Sequence, residues 1–244
     1  MNRTFSVFKR ELSGYFATPV AYVFIVIFLF LSGLFTFQIS RFFEAGQADL
    51  LRFFAWHPWL YLFLIPAVAM RLWAEERKSG TIELLFTLPV KPAQAILGKF
   101  LAAWIFITIA LALTFPIVFT VFYLGYPDAG VIFSGYVGSI FMAGAFLAIG
   151  ICMSALTKNQ VISFILGVVI CLLFILSGFD IVLDFFQSWA PGWLIEAVAS
   201  LSFLTHFNAA QRGVLNLTNI VFFVSMITGW LFACAVILDI KKAQ

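Results

Sequence analysis

Residues 134–179 read SGYVGSIFMAGAFLAIGICMSALTKNQVISFILGVVICLLFILSGF: two apolar runs, Ser134 to Leu156 and Val161 to Phe179, parted by Thr157-Lys158-Asn159-Gln160. Neither run contains Asp, Glu, Lys or Arg. Each is close to the ~20 residues that an α-helix needs to cross the hydrocarbon of a bilayer. Working outward, runs of the same kind occur at Val20 to Ser40, Phe100 to Leu124 and Asn219 to Leu238. A further run, Phe53 to Trp73, is interrupted by His57, Pro58 and Pro66. Proline is tolerated in membrane helices where neighbours satisfy the freed carbonyl groups.

Composition agrees with this pattern. The 244 residues are 64% hydrophobic and 10% charged, with a mean hydropathy of +1.09, whereas soluble domains are about 25% charged. No soluble core could hide that much apolar surface. The expected fold class is an all-α integral membrane protein, one transmembrane domain over residues 1–244 with spans near 20–40, 53–73, 100–124, 134–156, 161–179 and 219–238. The first run lies behind Pro19 and lacks a small-residue cleavage pattern, so it is expected to stay in the mature protein.

Charge placement sets the topology. With six spans, Arg3, Lys9, Arg10, Arg71, Arg77, Lys78, Lys91, Lys99, Lys158, Lys241 and Lys242 share one side, and only Arg41, Arg52 and Arg212 face the other. The excess of Lys and Arg marks the cytoplasmic side, which puts both termini in the cytoplasm. Removing the 53–73 span would move Lys158, Lys241 and Lys242 to the wrong side. Net charge is +3, but the basic residues form short clusters between apolar runs with no continuous face for phosphates, which argues against nucleic acid as a partner.

Ahead of the first span, Phe5, Phe8, Leu12, Tyr15 and Phe16 recur at helical spacing, with Arg3, Lys9, Arg10 and Ser13 opposite. Residues 1–19 are therefore expected to form an amphipathic helix in the interface, or a basic anchor that fixes topology. Residues 180–218 carry Trp189 and Trp193 around Pro191-Gly192, with Phe185, Phe186 and the acids Asp180, Asp184 and Glu196. Their apolar pieces are too short to cross, so short interfacial or re-entrant helices at the outer mouth are expected. Small residues recur along 134–156 (Gly135, Ser139, Ala143, Gly144, Ala148) and 161–179 (Ser163, Gly167, Cys171), a spacing that permits close helix approach. Cys152, Cys171 and Cys234 sit in separate apolar runs, away from any second Cys or His at metal-ligand spacing, and read as packing residues.

The chemistry of catalysis is missing from the pattern. No phosphate-binding loop is present; Gly98-Lys99-Phe100 lacks both the glycine-rich turn and the hydroxyl for magnesium. No paired carboxylates or Ser-His-Asp set lies within the spans, and His57 and His206 read as polar anchors near the outer boundary. The span centres carry no ionisable side chain, which disfavours an ion-coupled carrier or a channel with a charged ring. No metal site and no cofactor of the chain's own are expected.

The segment between the second and third spans, residues 74–99, is the most informative. From Arg71 to Val90 it runs RLWAEERKSGTIELLFTLPV. Thr81 can cap a short helix, Glu83 suits its positive end, Ile82, Leu85 and Phe86 share one face, and Pro89 stops it. Such a peg fits a groove on a soluble partner.

Glu75-Glu76-Arg77-x-x-Gly80-Thr81-x-Glu83-Leu84-Leu85-x-x-Leu88-Pro89-Val90, followed by Lys91 and Gly98-Lys99, resembles the loop of ABC-2 type ABC transporter permeases. Lys9-Arg10-Glu11-Leu12 through Thr18-Pro19 resembles the entry helix of that family, so the likeness spans the chain. Leu201-Ser202-Phe203-Leu204-Thr205-His206-Phe207 and Arg212-Gly213-Val214-Leu215 are similar to the gliding-motility type of permease subunit, although Asn216 and Asn219 stand where acids are expected.

The resemblance implies a multi-pass protein of the bacterial inner membrane that forms a translocation pathway as a dimer, with a second copy of itself or a related permease. Two separate ABC ATPase subunits would supply ATP and Mg, and an auxiliary envelope protein is a further candidate partner. It implies that Glu75, Glu76, Arg77, Gly80, Thr81, Ile82, Glu83, Leu84, Leu85 and Pro89 form the coupling element, that Lys9, Arg10 and Glu11 belong to the interfacial helix, and that the chain is not itself an enzyme. Thr157 to Gln160 is either a second contact or a tight turn. The other readings are a mechanical, gliding-type complex that moves no solute, and a membrane scaffold.

Overall fold

The computed structural model describes residues 3–81, 91–187 and 191–242, and regular structure among them is helical throughout. Helix α1 (Arg3–Phe16) precedes α2 (Pro19–Leu34), whose first position is a proline with no N–H to leave unpaired. A π-helical turn, Phe35–Ile39, extends α2. Three consecutive pieces follow: α3 (Leu51–Ala55), α4 (His57–Ala69) and α5 (Arg71–Ser79). Then come α6 (Pro92–Ala112) and α7 (Pro116–Leu124), α8 (Ala129–Leu156) and α9 (Gln160–Leu176). The short helices α10 (Asp180–Gln187), α11 (Gly192–Ser200) and α12 (Phe203–Gln211) lead into the long α13 (Leu217–Lys242).

Four helical stretches are long and apolar enough to cross a membrane: Pro19–Ile39, Pro92–Leu124, Ala129–Leu156 and Leu217–Lys241. Helix α9 is apolar but shorter, at 17 residues. The stretch expected as a span over 53–73 is not one helix. It is divided at Trp56 and Met70 into α3, α4 and the start of α5. Pro58 stands in the first turn of α4, where its missing N–H leaves nothing unpaired, whereas Pro66 lies inside α4, lacks a donor and crowds the carbonyl one turn back. Met70 nevertheless keeps right-handed helical angles, so α4 and α5 follow one another with little interruption.

Helix α8 is the axis of the fold. It packs against α4, α5, α6, α9, α12 and α13, and every residue from Met142 to Ala155 is buried. Its small residues make this possible, because side chains press directly on its backbone: Phe54 over Gly135, Trp104 and Ile227 over Gly144, and Ala69 over Gly150. Gly167 of α9 faces Pro66 in the same way. The small-residue stripes are therefore used within the chain. Asp128 accepts from the amides of Gly130 and Val131 to open α8, and Asn159 accepts from Val161 to open α9. Thr157 accepts from the Asn159 amide, so Thr157 to Gln160 forms a capped turn.

All three cysteines are buried and free, as packing residues should be. His57 departs from its expected role as a boundary anchor. It is fully buried, its Nδ1 lies 2.7 Å from Ser139 Oγ, and the rings of Phe53, Phe54 and Tyr61 surround it. The hydroxyl of α8 and the close aromatic packing hold it inside. His206 stacks on Phe222 and places its ring nitrogens by Asn219 Oδ1 and the Ser200 carbonyl. Helix α12 buries Phe203 and Phe207 against α8. Trp189 lies outside the described residues.

Candidate functional site

The predicted coupling element begins in α5, and the fold holds α5 on two sides. At the α4–α5 junction the single hydroxyl of Ser154 donates to the Met70 carbonyl at 2.8 Å and accepts from the amides of Trp73 and Ala74, both at 3.0 Å. These are groups that a new helical turn after a break leaves unpaired. One turn on, Arg77 Nη1 donates to the Ala155 carbonyl at 2.6 Å, while Lys241 of α13 donates to the Leu156 carbonyl. Two cations thus cover the negative C-terminal end of α8. Helix α5 ends at Gly80, which adopts φ +75°, a left-handed conformation that glycine takes without penalty. Ser79 Oγ donates back to the Glu75 carbonyl at 2.9 Å. The hydroxyl of Thr81, expected to open the next helix, is turned back to Ser79 Oγ (2.9 Å) and the Glu76 carbonyl (3.4 Å). It closes α5 because the left-handed turn at Gly80 brings it under those carbonyls. Ile82, Glu83, Leu84, Leu85 and Pro89 lie outside the described residues.

The second anchorage is an ion cluster. Lys99 of α6 is nearly completely buried, its side chain 3% exposed, and its ammonium lies 2.7 Å from Glu76 Oε1 and 3.4 Å from Glu11 Oε1. It also stands 5.1 Å from the centre of the buried Trp73 ring. An ammonium out of water requires such compensation, and both carboxylates and the aromatic face supply it. Arg10 pairs with Glu11 at 2.7 Å. Burial by itself would raise the Glu11 carboxyl, but the charges and hydrogen bonds of Lys99 and Arg10 outweigh it and hold it below the usual range. Burial, reinforced by the Glu11 charge, drives the Tyr15 hydroxyl the opposite way, above its usual range.

Close backbone approach brings α1 to this cluster. A Cβ on Gly98 would stand 2.8 Å from the Cβ of Val7, so only glycine lets α1 seat on α6 here. Farther along, Tyr15 stacks on Phe106 with centroids 4.9 Å apart. The inner line of α1 is thus Val7, Glu11 and Tyr15, while Phe5, expected on the apolar face, is more than half exposed.

Of the residues anticipated from sequence, Glu11 and Glu76 meet on Lys99, Arg10 joins them through Glu11, Arg77 caps α8, and Gly80 and Thr81 close α5. Lys9 and Glu75 are exposed. Sequence reasoning missed Lys99, Trp73 and Ser154 as members of the site. In the sequence Lys99 reads as a topology-setting charge and as the end of the family-like motif, with nothing to show that two acids meet on it. The available signal was Ala95, Gly98 and Ala102, small residues on one face of α6 that mark a close neighbour. Between α1 and α5 the cluster borders a cavity of about 630 Å³, also lined by Arg71 and Glu75.

A charged knot thus ties α1, α5 and α6 together at the start of the predicted coupling element. A protein-family model described as ABC-2 family transporter protein matches residues 16–242. No curated protein matches the chain.

Proposed function

The chain belongs to the ABC-2 family of transporter membrane proteins, and from that premise we propose that it is the permease subunit of an ATP-driven exporter. As a member it is a multi-pass membrane transport component of the kind that pairs with an ABC ATPase. In our reading two copies form the pathway and two ATPase subunits, which bind ATP and Mg, sit against the side carrying α1 and α5. That side is the cytoplasmic one of the bacterial inner membrane, with six crossings and both termini inside. The crossings not met by the four long helices are α9 and the α4–α5 pair.

The observation that supports coupling through residues 75–89 is the double anchorage of α5. Ser154 and Arg77 fasten it to the axial helix α8, and Lys99 fastens it to α1 and α6. A push delivered by a partner on the segment after Gly80 therefore reaches the centre of the bundle and the entry helix together. Rigid elements joined by buried ion pairs transmit displacement in a way that a solvated loop does not. The likeness of residues 201–207 and 212–215 to the gliding-motility type favours, as a second reading, mechanical or assembly work at the envelope with no solute crossing.

The test is the double substitution Glu83→Lys with Leu85→Asp in the complex purified from its host. The protein is expected to insert at normal level and to lose ATP-dependent activity. Wild-type activity at normal expression would overturn the coupling assignment. Reproducible absence of any co-purifying ATPase from the wild-type preparation would favour the scaffold reading.

A further inference from the structure

The charged cavity between α1 and α5 does not end at the polar surface. Tyr15, Thr18, Val68 and Arg71 line it and also line a second, apolar hollow of about 380 Å³. This hollow is a groove between two helices. One wall is Val20, Val23, Phe24 and Ile27, at the i, i+3, i+4, i+7 spacing of one face of α2, and the other includes Leu64 and Ala67 of α4. From Val20 to Ile27 the groove descends about 10 Å at 1.5 Å per residue. A polar chamber opening into an apolar slot has the shape and polarity of one membrane lipid, with its headgroup beside α1 and an acyl chain along α2. Both volumes are within the roughly 300–1,000 Å³ of ligand sites.

The polar chamber also discriminates among headgroups. Lys99 and Arg10 are committed to Glu11 and Glu76, whereas Arg71 and Glu75 form no ion pair among the described residues. Two buried polar atoms on residues that line the chamber, Tyr15 Oη and Glu76 Oε2, have no hydrogen-bond partner there. The carboxylate oxygen needs an N–H or O–H donor, and the phenol needs an acceptor. The chamber's three cations (Arg10, Arg71, Lys99) balance its three carboxylates (Glu11, Glu75, Glu76), which suits a zwitterion better than an anion.

We propose that this continuous cleft holds one phospholipid with a primary-amine headgroup, a phosphatidylethanolamine, its phosphate at Arg71 and Tyr15 and its ammonium at Glu76 and Glu75. A choline headgroup has no N–H to give Glu76, and a glycerol headgroup brings an uncompensated negative charge. Seated there, the lipid packs α1 against the α4–α5 junction.

The test uses the full chain in detergent, with bound lipid counted by native mass spectrometry after delipidation and re-addition of phosphatidylethanolamine, phosphatidylcholine or phosphatidylglycerol. About one phosphatidylethanolamine per chain is expected to persist, with the other two at least about tenfold weaker. Val23→Trp, at a position 55% exposed and so harmless to the packed core, and Ala67→Trp should each fill the slot and lower retention about tenfold. Equal retention of the three lipids, or unchanged retention in both variants, would overturn the proposal. So would efficient cross-linking of Val23→Cys to a second copy with no lipid held, which would assign the groove to the dimer. Recovery of an ATPase partner is read separately, since the lipid site does not depend on it.

Discussion

Lys99 and Glu76, 23 positions apart in the chain, form a 2.7 Å ion pair beneath which the ring of Trp73 is completely buried. The pair joins the first turns of α6 to α5. Glu11 approaches the same ammonium from α1, so one side chain holds three elements.

Removing that ammonium should be more damaging than removing one of its acids. Lys99→Met leaves Glu11 and Glu76 facing each other with little water, at a cost of about 3–5 kcal/mol. Adding Glu76→Gln to Lys99→Met should recover part of the loss, because the repulsion disappears with the charge. Thermal unfolding in detergent checks both variants; a double variant no more stable than Lys99→Met would show that the two acids do not repel each other there.

Seating of α1 depends on the absence of a side chain at position 98. Gly98→Ala places a methyl 2.8 Å from Val7 Cβ and 3.1 Å from the Thr4 carbonyl, and overpacking of this kind costs about 1–3 kcal/mol. Amides of α1 are expected to exchange hydrogen faster while those of α8 keep their protection. Val7→Gly in the same chain should restore much of the difference.

Ser154→Ala should loosen α5 without disturbing the rest of α8. It deprives the Trp73 and Ala74 amides and the Met70 carbonyl of a shared partner, at about 1–3 kcal/mol. Ser154→Thr keeps a hydroxyl and is expected to lose less. Protease cleavage near Ser79 in the intact membrane, compared between the two variants, reports the change.

The Glu11 contribution to stability has a defined pH window. Its carboxyl is held below the ordinary value of 4.5, so the folded state binds a proton less readily than the unfolded one. The stabilisation is therefore present in full above that value and is lost as pH falls through the lower, folded one. The gap in melting temperature between wild type and Glu11→Gln should be constant from neutral pH down to about 5 and close in more acid buffer. A gap that closes between pH 8 and 6 would assign the effect to another group.

Much of this protein was legible in its residues because lipid imposes a strong constraint. A run such as 134–156, with no charge and many small residues, has to be helical and suited to close packing, and the structure makes it the axial helix. Pro58 and Pro66 announced the weakness of the 53–73 stretch, whereas the caps that Asp128 and Asn159 supply to α8 and α9 came from the structure. The motif from Glu75 to Pro89 and the entry helix carried the family, which the match over residues 16–242 shows. Tertiary structure alone decided who meets whom. That Glu11 and Glu76 share Lys99, that Ser154 splices the α4–α5 junction, and that His57 lies inside against Ser139 depend on contacts between residues about 80 positions apart or, for Lys99 and Glu76, 23 positions apart on different helices. Periodicity reports which face of a helix is apolar, but a buried charge is tolerated only where the fold brings its counter-charges, and that placement is a property of the packed bundle.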